Sequence, residues 1–218
     1  MELTPHDSSF TSAHNDGADS RDGNTKEPQK NEGFVREILR FSLIALLIVL
    51  PIRMFIAQPF IVSGASMDTT FATGQYLIVD QVTYHFGTPQ RGDIIVFRYP
   101  RDTSKFFIKR VIGIPGDTIS IDGNTVTITN AEHPEGVVLD EEYVLSMSPS
   151  GKLEEILQDE EYFVMGDNRD ASSDSRVWGI LKQDNIIGRA LVRLFPLTTA
   201  EFLPGEYNIN AQIMSSSN

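Results

Sequence analysis

The sequence of 218 residues contains no cysteine and only four histidines. The lack of cysteine excludes thiol catalysis, disulfide bonds and thiolate zinc sites. Only His85 and His133 lie in the part of the chain that we expect to fold, and neither has a second plausible metal ligand at helix or strand spacing. Walker A, dinucleotide-binding and His-Glu-x-x-His patterns are also missing. We therefore expect neither a metal ion nor another cofactor.

Positive charge is scarce as well. The chain has 18 Lys and Arg residues against 30 Asp and Glu residues, which gives a net charge of -12 and an isoelectric point of about 4.7. An acidic surface repels phosphate backbones, and no basic stripe is present. The composition therefore indicates that nucleic acid is not a partner.

Large apolar side chains are few in residues 1–33, which are rich in Asp, Ser, Asn, Gly and Thr. Such a segment cannot bury enough surface to offset the entropy lost on ordering, so we expect residues 1–33 to be a disordered tail. The segment also lacks the basic start and the apolar core of a cleaved signal.

Residues 34–58, in contrast, are apolar enough to predict a transmembrane anchor. Only Ser42 interrupts residues 41–52. Twelve helical residues span about 18 Å, short of a hydrocarbon core of about 30 Å, but the whole stretch is long enough if the charges at each end reach the interfaces. The alternative is a buried helix of a soluble domain. Positive residues before the span predict a cytoplasmic N-terminus; they are Lys26, Lys30, Arg36 and Arg40.

After the anchor, short β-branched or aromatic runs alternate with Gly and Pro turns, at residues 76–79, 94–97, 162–165 and 190–195. Two alternating runs flank Asp122-Gly123-Asn124, which is typical of a β-hairpin at residues 118–128. One weak helical signal lies at residues 153–157. We therefore predict a mostly β fold, a folded antiparallel sheet or partial barrel at residues 59–203. A polar, frayed tail is expected at residues 204–218.

Lys109 lies in an apolar run, between Phe107-Ile108 and Val111-Ile112. Burial disfavours the ammonium form and lowers the pKa of a lysine. A neutral lysine amine is a general base that can activate a serine. Arg110 is adjacent but would point to the opposite face of a strand, so we attribute the lowered pKa to burial. Most lysines among strand residues simply face solvent, and the lysine alone does not decide the chemistry.

A candidate nucleophile, Ser66, follows Gly64 and Ala65 and precedes Met67. Small residues before a nucleophile let a substrate backbone approach closely.

A third segment, residues 166–176, is dense in turn-forming Asp, Asn and Ser residues. It lacks the Gly and Glu that a calcium loop requires, and a serine within it could orient the lysine amine by a hydrogen bond. Each segment alone also fits an ordinary solvated loop.

Together these segments resemble the type I signal peptidases (leader peptidases) of bacteria, which use a serine and a lysine. The resemblance covers residues 34–196, with the anchor, the Gly-Ala-Ser-Met segment, and residues 91–97, 108–117 and 166–176 in the family's order and approximate spacing. It implies a membrane-anchored serine endopeptidase that removes N-terminal signal peptides from exported preproteins through an acyl-enzyme.

In this resemblance Ser66 matches the nucleophile, Lys109 the general base and Ser172 the serine that positions the lysine. The Ser66 backbone N–H would be one oxyanion donor, and the backbone N–H of Gly64 would be the second. Structural roles near the site are implied for Met67, Arg110, Asp167, Asp174 and Arg176. The chain departs from the family at Thr69, where Pro is usual, and at Ala171, where Asn is usual; we expect a less rigid site that is still active.

The resemblance also implies partners and a location. We expect preproteins and the lipid bilayer as partners, a monomer in the plasma (inner) membrane, and an extracytoplasmic catalytic domain. Apolar residues near Phe60 and Phe71 would hold the site at the membrane surface. Two alternatives remain open: a membrane-anchored β module that binds peptides without cleaving them, and a self-cleaving serine/lysine protein similar to the SOS repressors.

Overall fold

The computed structural model describes residues 32–51, 57–144 and 149–215. Of the tail predicted at residues 1–33, residues 1–31 lie outside the described residues, and residues 32 and 33 belong to a helix. This first element is the helix α1 (Glu32–Pro51), in which residues 33–50 are all exposed. In the described parts of the chain, no helix is both long and apolar enough to cross a membrane. The anchor at residues 34–58 stays a prediction, and its C-terminal boundary differs, because Ala57 already begins a strand.

The rest of the described chain is mostly antiparallel β-sheet, as predicted. The first half contains β1 (Ala57–Ile61), β2 (Tyr76–Asp80), the short helix α2 (Thr83–Phe86), β3 (Ile94–Tyr99), β4 (Asp102–Gly113), β5 (Thr118–Gly123), β6 (Thr125–Thr129) and β7 (Val137–Val138). The second half contains β8 (Ser150–Ile156), β9 (Glu161–Met165), α3 (Ser175–Trp178), β10 (Leu181–Lys182), β11 (Ile186–Phe195), β12 (Glu201–Phe202) and α4 (Ile209–Ser215).

These strands form two sheets. The larger has the order β1-β2-β11-β3-β4-β9-β10, with β12 paired to β11, and the smaller has the order β7-β6-β5-β8. The predicted hairpin is confirmed as β5 and β6, in which Ile119 pairs with Ile128 and Gly123 has a φ of 62°. The strand β9, between β4 and the edge strand β10, is buried along its whole length, and residues 162–165 within it form an apolar run.

The helix predicted at residues 153–157 is wrong. These residues belong largely to β8, which pairs with β5 so that Leu153 lies opposite Ile121. The local helical preference was weak, and the pairing with an exposed edge of β5 outweighs it.

The polar tail predicted at residues 204–218 also differs from the structure. Within it, α4 places Ile209 and Ile213 in the core, with exposed fractions of 1% and 4%. They pack in a cluster with Ile112, Phe163 and Met165 of the larger sheet. Two apolar side chains at i and i+4 lie on one face of a helix, and that face is enough to bind this short segment to the domain.

Candidate active site

The loop between β1 and β2 carries Ser66. Backbone hydrogen bonds close its base, from Val62 N to Gln75 O and from Gly74 N to Val62 O, both 2.9 Å. Met67 and Phe71 are fully buried beneath it and anchor it in the core. Phe71 therefore faces the core and not a membrane surface, which corrects the expectation for that residue.

Lys109 reaches this loop from β4. Its side-chain amine, Nζ, lies 2.7 Å from Ser66 Oγ and 2.8 Å from the carbonyl oxygen of Ile108. The residue is only 3% exposed, and Nζ lies 5.3 Å from the centre of the Phe107 ring. The sequence therefore identified a serine and a lysine that the fold brings into hydrogen-bond contact, although 43 residues separate them.

Burial is the main influence on the Lys109 amine. It lowers the pKa of Lys109 from 10.5 to about 8, although the negative charges of Asp174 and Asp167 act in the opposite direction. Burial has this effect because an ammonium ion loses hydration in a dry environment that the neutral amine tolerates. At pH 7 about a tenth of such lysines are neutral, against well below a thousandth of unperturbed ones.

A cleft of about 270 Å³ lies over the serine and the lysine. Its walls are largely apolar. The side chains and backbone that line it belong to Phe60, Ile61, Val62, Ser63, Gly64, Ala65, Ser66, Leu77, Val96, Phe106, Phe107, Ile108, Lys109, Ala171 and Ser173. Such a cleft can hold an extended apolar or small-residue segment against the hydroxyl of Ser66.

A buried ion pair holds the Ser66 loop to the sheet. Arg110 donates two hydrogen bonds to Asp167, at 2.8 and 2.6 Å, and both side chains are fully buried. Asp167 also accepts a hydrogen bond from Thr70 Oγ1 at 2.5 Å. The next residue along the chain, Asn168, donates its backbone N–H to Ser66 O at 3.1 Å. Arg110 and Asp167 thus fix the loop on both sides of the nucleophile candidate.

A second carboxylate, Asp174, orders the segment that follows β9. It accepts hydrogen bonds from Gly166 N at 3.1 Å and from Arg176 Nε and Nη2, both 2.9 Å. Burial would raise the pKa of Asp174, but the hydrogen bonds and charge of Arg176 outweigh it, so that the pKa is lowered. The carboxylate therefore stays ionised and keeps the segment folded at neutral pH.

Ser172, predicted to orient the Lys109 amine, makes no hydrogen bond to that amine in the described structure. In the described part of the chain, the acceptors around Lys109 Nζ are Ser66 Oγ and Ile108 O, and Ser172 is not among them. Its buried hydroxyl has no hydrogen bond of acceptable geometry, although it lies near enough to Asp174 to help lower the pKa of that carboxylate. It packs against Gly166, where a Cβ would come within 2.3 Å of Ser172 Oγ.

Gly64 makes two hydrogen bonds with a side chain that the sequence did not single out. Its backbone N–H, expected to be an oxyanion donor, is donated to Thr73 Oγ1 at 3.1 Å. The same hydroxyl donates to Gly64 O, also at 3.1 Å. Gly64 has a φ of 100°, a region that glycine adopts far more readily than other residues.

Comparison with known proteins agrees with this geometry. Residues 35–195 match the family described as signal peptidase, peptidase S26. This chain belongs to that family. A probable signal peptidase I-1 of Synechocystis sp. is 40% identical over 191 residues, which cover 81% of this chain and 94% of the relative. Signal peptidase I of Leptolyngbya laminosa is 38% identical, covering 78% of this chain and 84% of the relative.

A solved structure, that of a signal peptidase I from Enterococcus faecalis, is 32% identical to this chain, with a TM-score of 0.40. It covers 47% of this chain and 97% of its own. The family match and the two relatives confirm the resemblance to signal peptidases seen in the sequence, and the chain is a peptidase of the S26 family.

The two departures from the usual S26 pattern lie on exposed loops. Thr69 has a φ of 80°, a region closed to proline and strained for a β-branched residue. The backbone here is thus one that the usual proline could not adopt. Ala171 is exposed and lines the cleft. Neither residue contacts the amine of Lys109 among the hydrogen bonds that the structure describes.

The sequence did not identify the second buried ion pair near this site. Arg169 donates hydrogen bonds from both terminal nitrogens to the Glu141 carboxylate, one of them at 2.7 Å, and its Nε donates to Gly166 O at 3.1 Å. Tyr143 donates its hydroxyl to Glu141 at 2.8 Å, and its ring lies 4.1 Å from the Arg110 guanidinium carbon. Glu141 stands in an acidic run at residues 140–142, and nothing local marks its partner 28 residues away.

Proposed function

We propose that this S26 peptidase is a serine endopeptidase that removes N-terminal signal peptides from exported preproteins, with Ser66 as nucleophile and Lys109 as general base. The observation that carries the proposal is the 2.7 Å contact between Ser66 Oγ and the Nζ of Lys109, a buried lysine. The names of the relatives supply the substrate class.

In the first step, the neutral amine of Lys109 takes the proton of the Ser66 hydroxyl as Ser66 Oγ attacks the carbonyl carbon of the scissile bond. The resulting ammonium then gives its proton to the departing amine, which leaves an acyl-enzyme on Ser66. Lys109, again neutral, activates a water molecule that releases the signal peptide. A pKa of about 8 suits this cycle, because the group must both accept and return a proton near neutral pH.

The oxyanion formed in each step needs backbone donors. The Ser66 N–H donates to no acceptor within the described residues, so it is free to bind the oxyanion. We do not extend this role to Gly64, because Thr73 already takes its N–H. Donors of this kind typically contribute about 3–4 kcal/mol of transition-state stabilisation.

The substrate is proposed to enter as an extended strand along the cleft, where backbone hydrogen bonds supply affinity. Phe60 and Phe106 both line the cleft and contact each other edge to face, with ring centres 5.4 Å apart. We expect these apolar walls to select small side chains at the first and third positions before the cut.

Four charged residues are proposed to hold the site without touching the substrate: Arg110, Asp167, Asp174 and Arg176. Ser172 is proposed to orient the Lys109 amine only when substrate is bound, because a buried hydroxyl without a partner is a cost that a later hydrogen bond would remove. Replacement of Ser172 by Ala should then lower kcat and leave the folded domain as stable as before.

The membrane anchor remains part of the proposal. The 20 residues of α1 would span about 30 Å as a helix, and residues 41–50 are apolar except for Ser42. Arg36 and Arg40 favour a cytoplasmic N-terminus, and the peptidase domain would then be extracytoplasmic on a monomer in the plasma membrane. Protease added to spheroplasts should digest the domain, whereas digestion only after lysis would contradict this orientation.

Phe71 is buried, so an exposed apolar surface on the domain is a better candidate for contact with lipid. It consists of Tyr76, Phe195, Leu197 and Phe202, each 45% exposed or more. The rings of Tyr76 and Phe195 touch edge to face at 5.8 Å. Aromatic side chains of this kind favour the interface between water and hydrocarbon.

The central test uses a purified preprotein substrate and the full chain in detergent. Ser66→Ala and Lys109→Ala should each abolish cleavage with an unchanged unfolding midpoint or a higher one. Ser104→Ala and Lys105→Ala are matched controls, because both side chains are exposed and neither lines the cleft, and both should cleave normally. Near-normal turnover by Lys109→Ala would refute the proposed base. Absence of cleavage and of acylation of Ser66 in the unmodified chain would favour a binding module.

A further inference from the structure

We infer that Thr73 is a positioning residue of the active site, which aims the backbone N–H of Ala65 into the cleft as the second oxyanion donor beside the N–H of Ser66. This inference rests on the proposed function and deepens it. It starts from the pair of hydrogen bonds that Thr73 Oγ1 makes with Gly64, one accepted from N and one donated to O, each 3.1 Å.

The first step concerns the direction of the peptide that joins Gly64 to Ala65. In a planar trans peptide the C=O and the N–H point in opposite directions. The C=O of Gly64 points to Thr73, so the N–H of Ala65 must point away from Thr73. Thr73 lies outside the cleft wall, whereas Gly64, Ala65 and Ser66 line it.

The second step concerns which donors are free. The N–H of Gly64 is committed to Thr73. Across the described chain, the N–H groups of Ala65 and Ser66 donate to no acceptor. Two successive unpaired N–H groups beside a nucleophile form a concave donor pair of the kind that binds anionic oxygens.

The third step explains why this chain needs a clamp. Gly64 can rotate freely compared with other residues, its φ is 100°, and a Cβ built there would meet nothing within 4 Å. Neighbouring atoms therefore do not hold the peptide in place. The hydroxyl of Thr73 restrains both polar groups of Gly64, and so supplies the order that oxyanion stabilisation requires before the reaction begins.

The experiment compares Thr73→Val, which keeps the shape and removes the hydroxyl, with Thr73→Ser, which keeps the hydroxyl. For Thr73→Val we expect kcat to fall about tenfold with KM within about twofold, because a misaimed donor is weakened in the transition state and not in the ground state. Thr73→Ser should restore kcat. Thr125→Val, at an exposed position on β6, is the matched control and should cleave normally.

A second measurement separates this role from a purely structural one. A peptide aldehyde bonds through its carbonyl carbon to Ser66 Oγ, the proton passes to Lys109, and the carbonyl oxygen becomes an oxyanion; the matching peptide alcohol cannot react. Thr73→Val should weaken binding of the aldehyde by the same factor by which it lowers kcat. Binding of the alcohol should be unchanged.

The inference is overturned if Thr73→Val has normal kcat, if it raises KM alone, if it weakens aldehyde and alcohol equally, or if Thr73→Ser is as impaired as Thr73→Val. These outcomes differ from failure of the proposed function, which shows itself as cleavage by Ser66→Ala or Lys109→Ala. A normal Thr73→Val enzyme beside an inactive Ser66→Ala enzyme would refute the role of Thr73 only.

Discussion

Replacement of Lys109 by methionine should make the folded protein more stable. Methionine has nearly the same length as lysine and no charge, so it can fill the space beside Ser66 without the cost of burying an ammonium ion. Burial lowers the pKa of Lys109 from 10.5 to about 8, which corresponds to about 3 kcal/mol of lost stability while the amine is charged. The carbonyl of Ile108 loses its donor in the variant, at a cost of about 1 kcal/mol. A net gain of about 2 kcal/mol is expected at pH 7.

The pH dependence isolates the amine from every other effect of the substitution. Below pH 8 the lysine is protonated in the folded and unfolded chains, and the full cost of its burial is present. Between pH 8 and 10.5 the folded chain holds fewer protons than the unfolded chain, so the free energy of unfolding rises with pH through this window. The advantage of Lys109→Met should therefore shrink by about 2 to 3 kcal/mol between pH 7 and pH 10.

Urea unfolding of the full chain in mild detergent, followed by Trp178 fluorescence, measures this difference. At any one pH, the tyrosines and the other lysines contribute equally to the free energy of unfolding of both variants, so their titration cancels in the difference. Lys105→Met is the matched control, since Lys105 has 64% of its side chain exposed and should show no such window. If Lys109→Met is not more stable at pH 7, or if its advantage is the same at pH 10, then the amine is not desolvated and the reasoning fails.

Three further predictions follow from the same structure. The value of kcat/KM should rise about tenfold per pH unit below pH 7 and level off above about pH 8, as Lys109 becomes neutral; a flat profile from pH 6 to 10 would exclude it as the base. At Thr69, whose φ is 80°, Thr69→Gly should raise the free energy of unfolding by about 1 kcal/mol, and Thr69→Pro should lower both stability and kcat; urea unfolding and cleavage rates test both. Ile213→Ala should cost about 2–4 kcal/mol, and the exposed Met214→Ala less than about 0.5 kcal/mol; equal effects would mean that α4 does not pack as described.

The sequence predicted the features that depend on residues close together in the chain. The residues around Lys109 indicate burial because they are themselves apolar. The alternation on both sides of Asp122-Gly123-Asn124 predicts a hairpin from about a dozen consecutive residues. The serine and the lysine could be joined only through the family resemblance. Neither segment alone predicts that Lys109 on β4 contacts Ser66 in the loop after β1.

The parts that the sequence did not predict depend on distant partners. Residues 153–157 have a weak local preference, and the strand they form is decided by their pairing with β5. The pair Glu141 and Arg169 is stable in the interior only because the two meet there with matched hydrogen bonds. The orientation of Gly64 is set by Thr73, which lies nine residues away across the loop. A threonine in a polar turn is common, so its presence in the sequence does not predict this contact.

Lys109 and Arg110 are neighbours on β4, yet one faces the cleft and the other faces the buried carboxylate of Asp167. An insertion or deletion of one residue just ahead of them would exchange the two sides. A guanidinium, which does not lose its proton in proteins, would then stand beside the Ser66 hydroxyl, and an amine would face Asp167. An inserted or deleted residue in the flanking turns would leave this register unchanged, whereas one within this stretch of β4 would shift it and separate the amine from the hydroxyl.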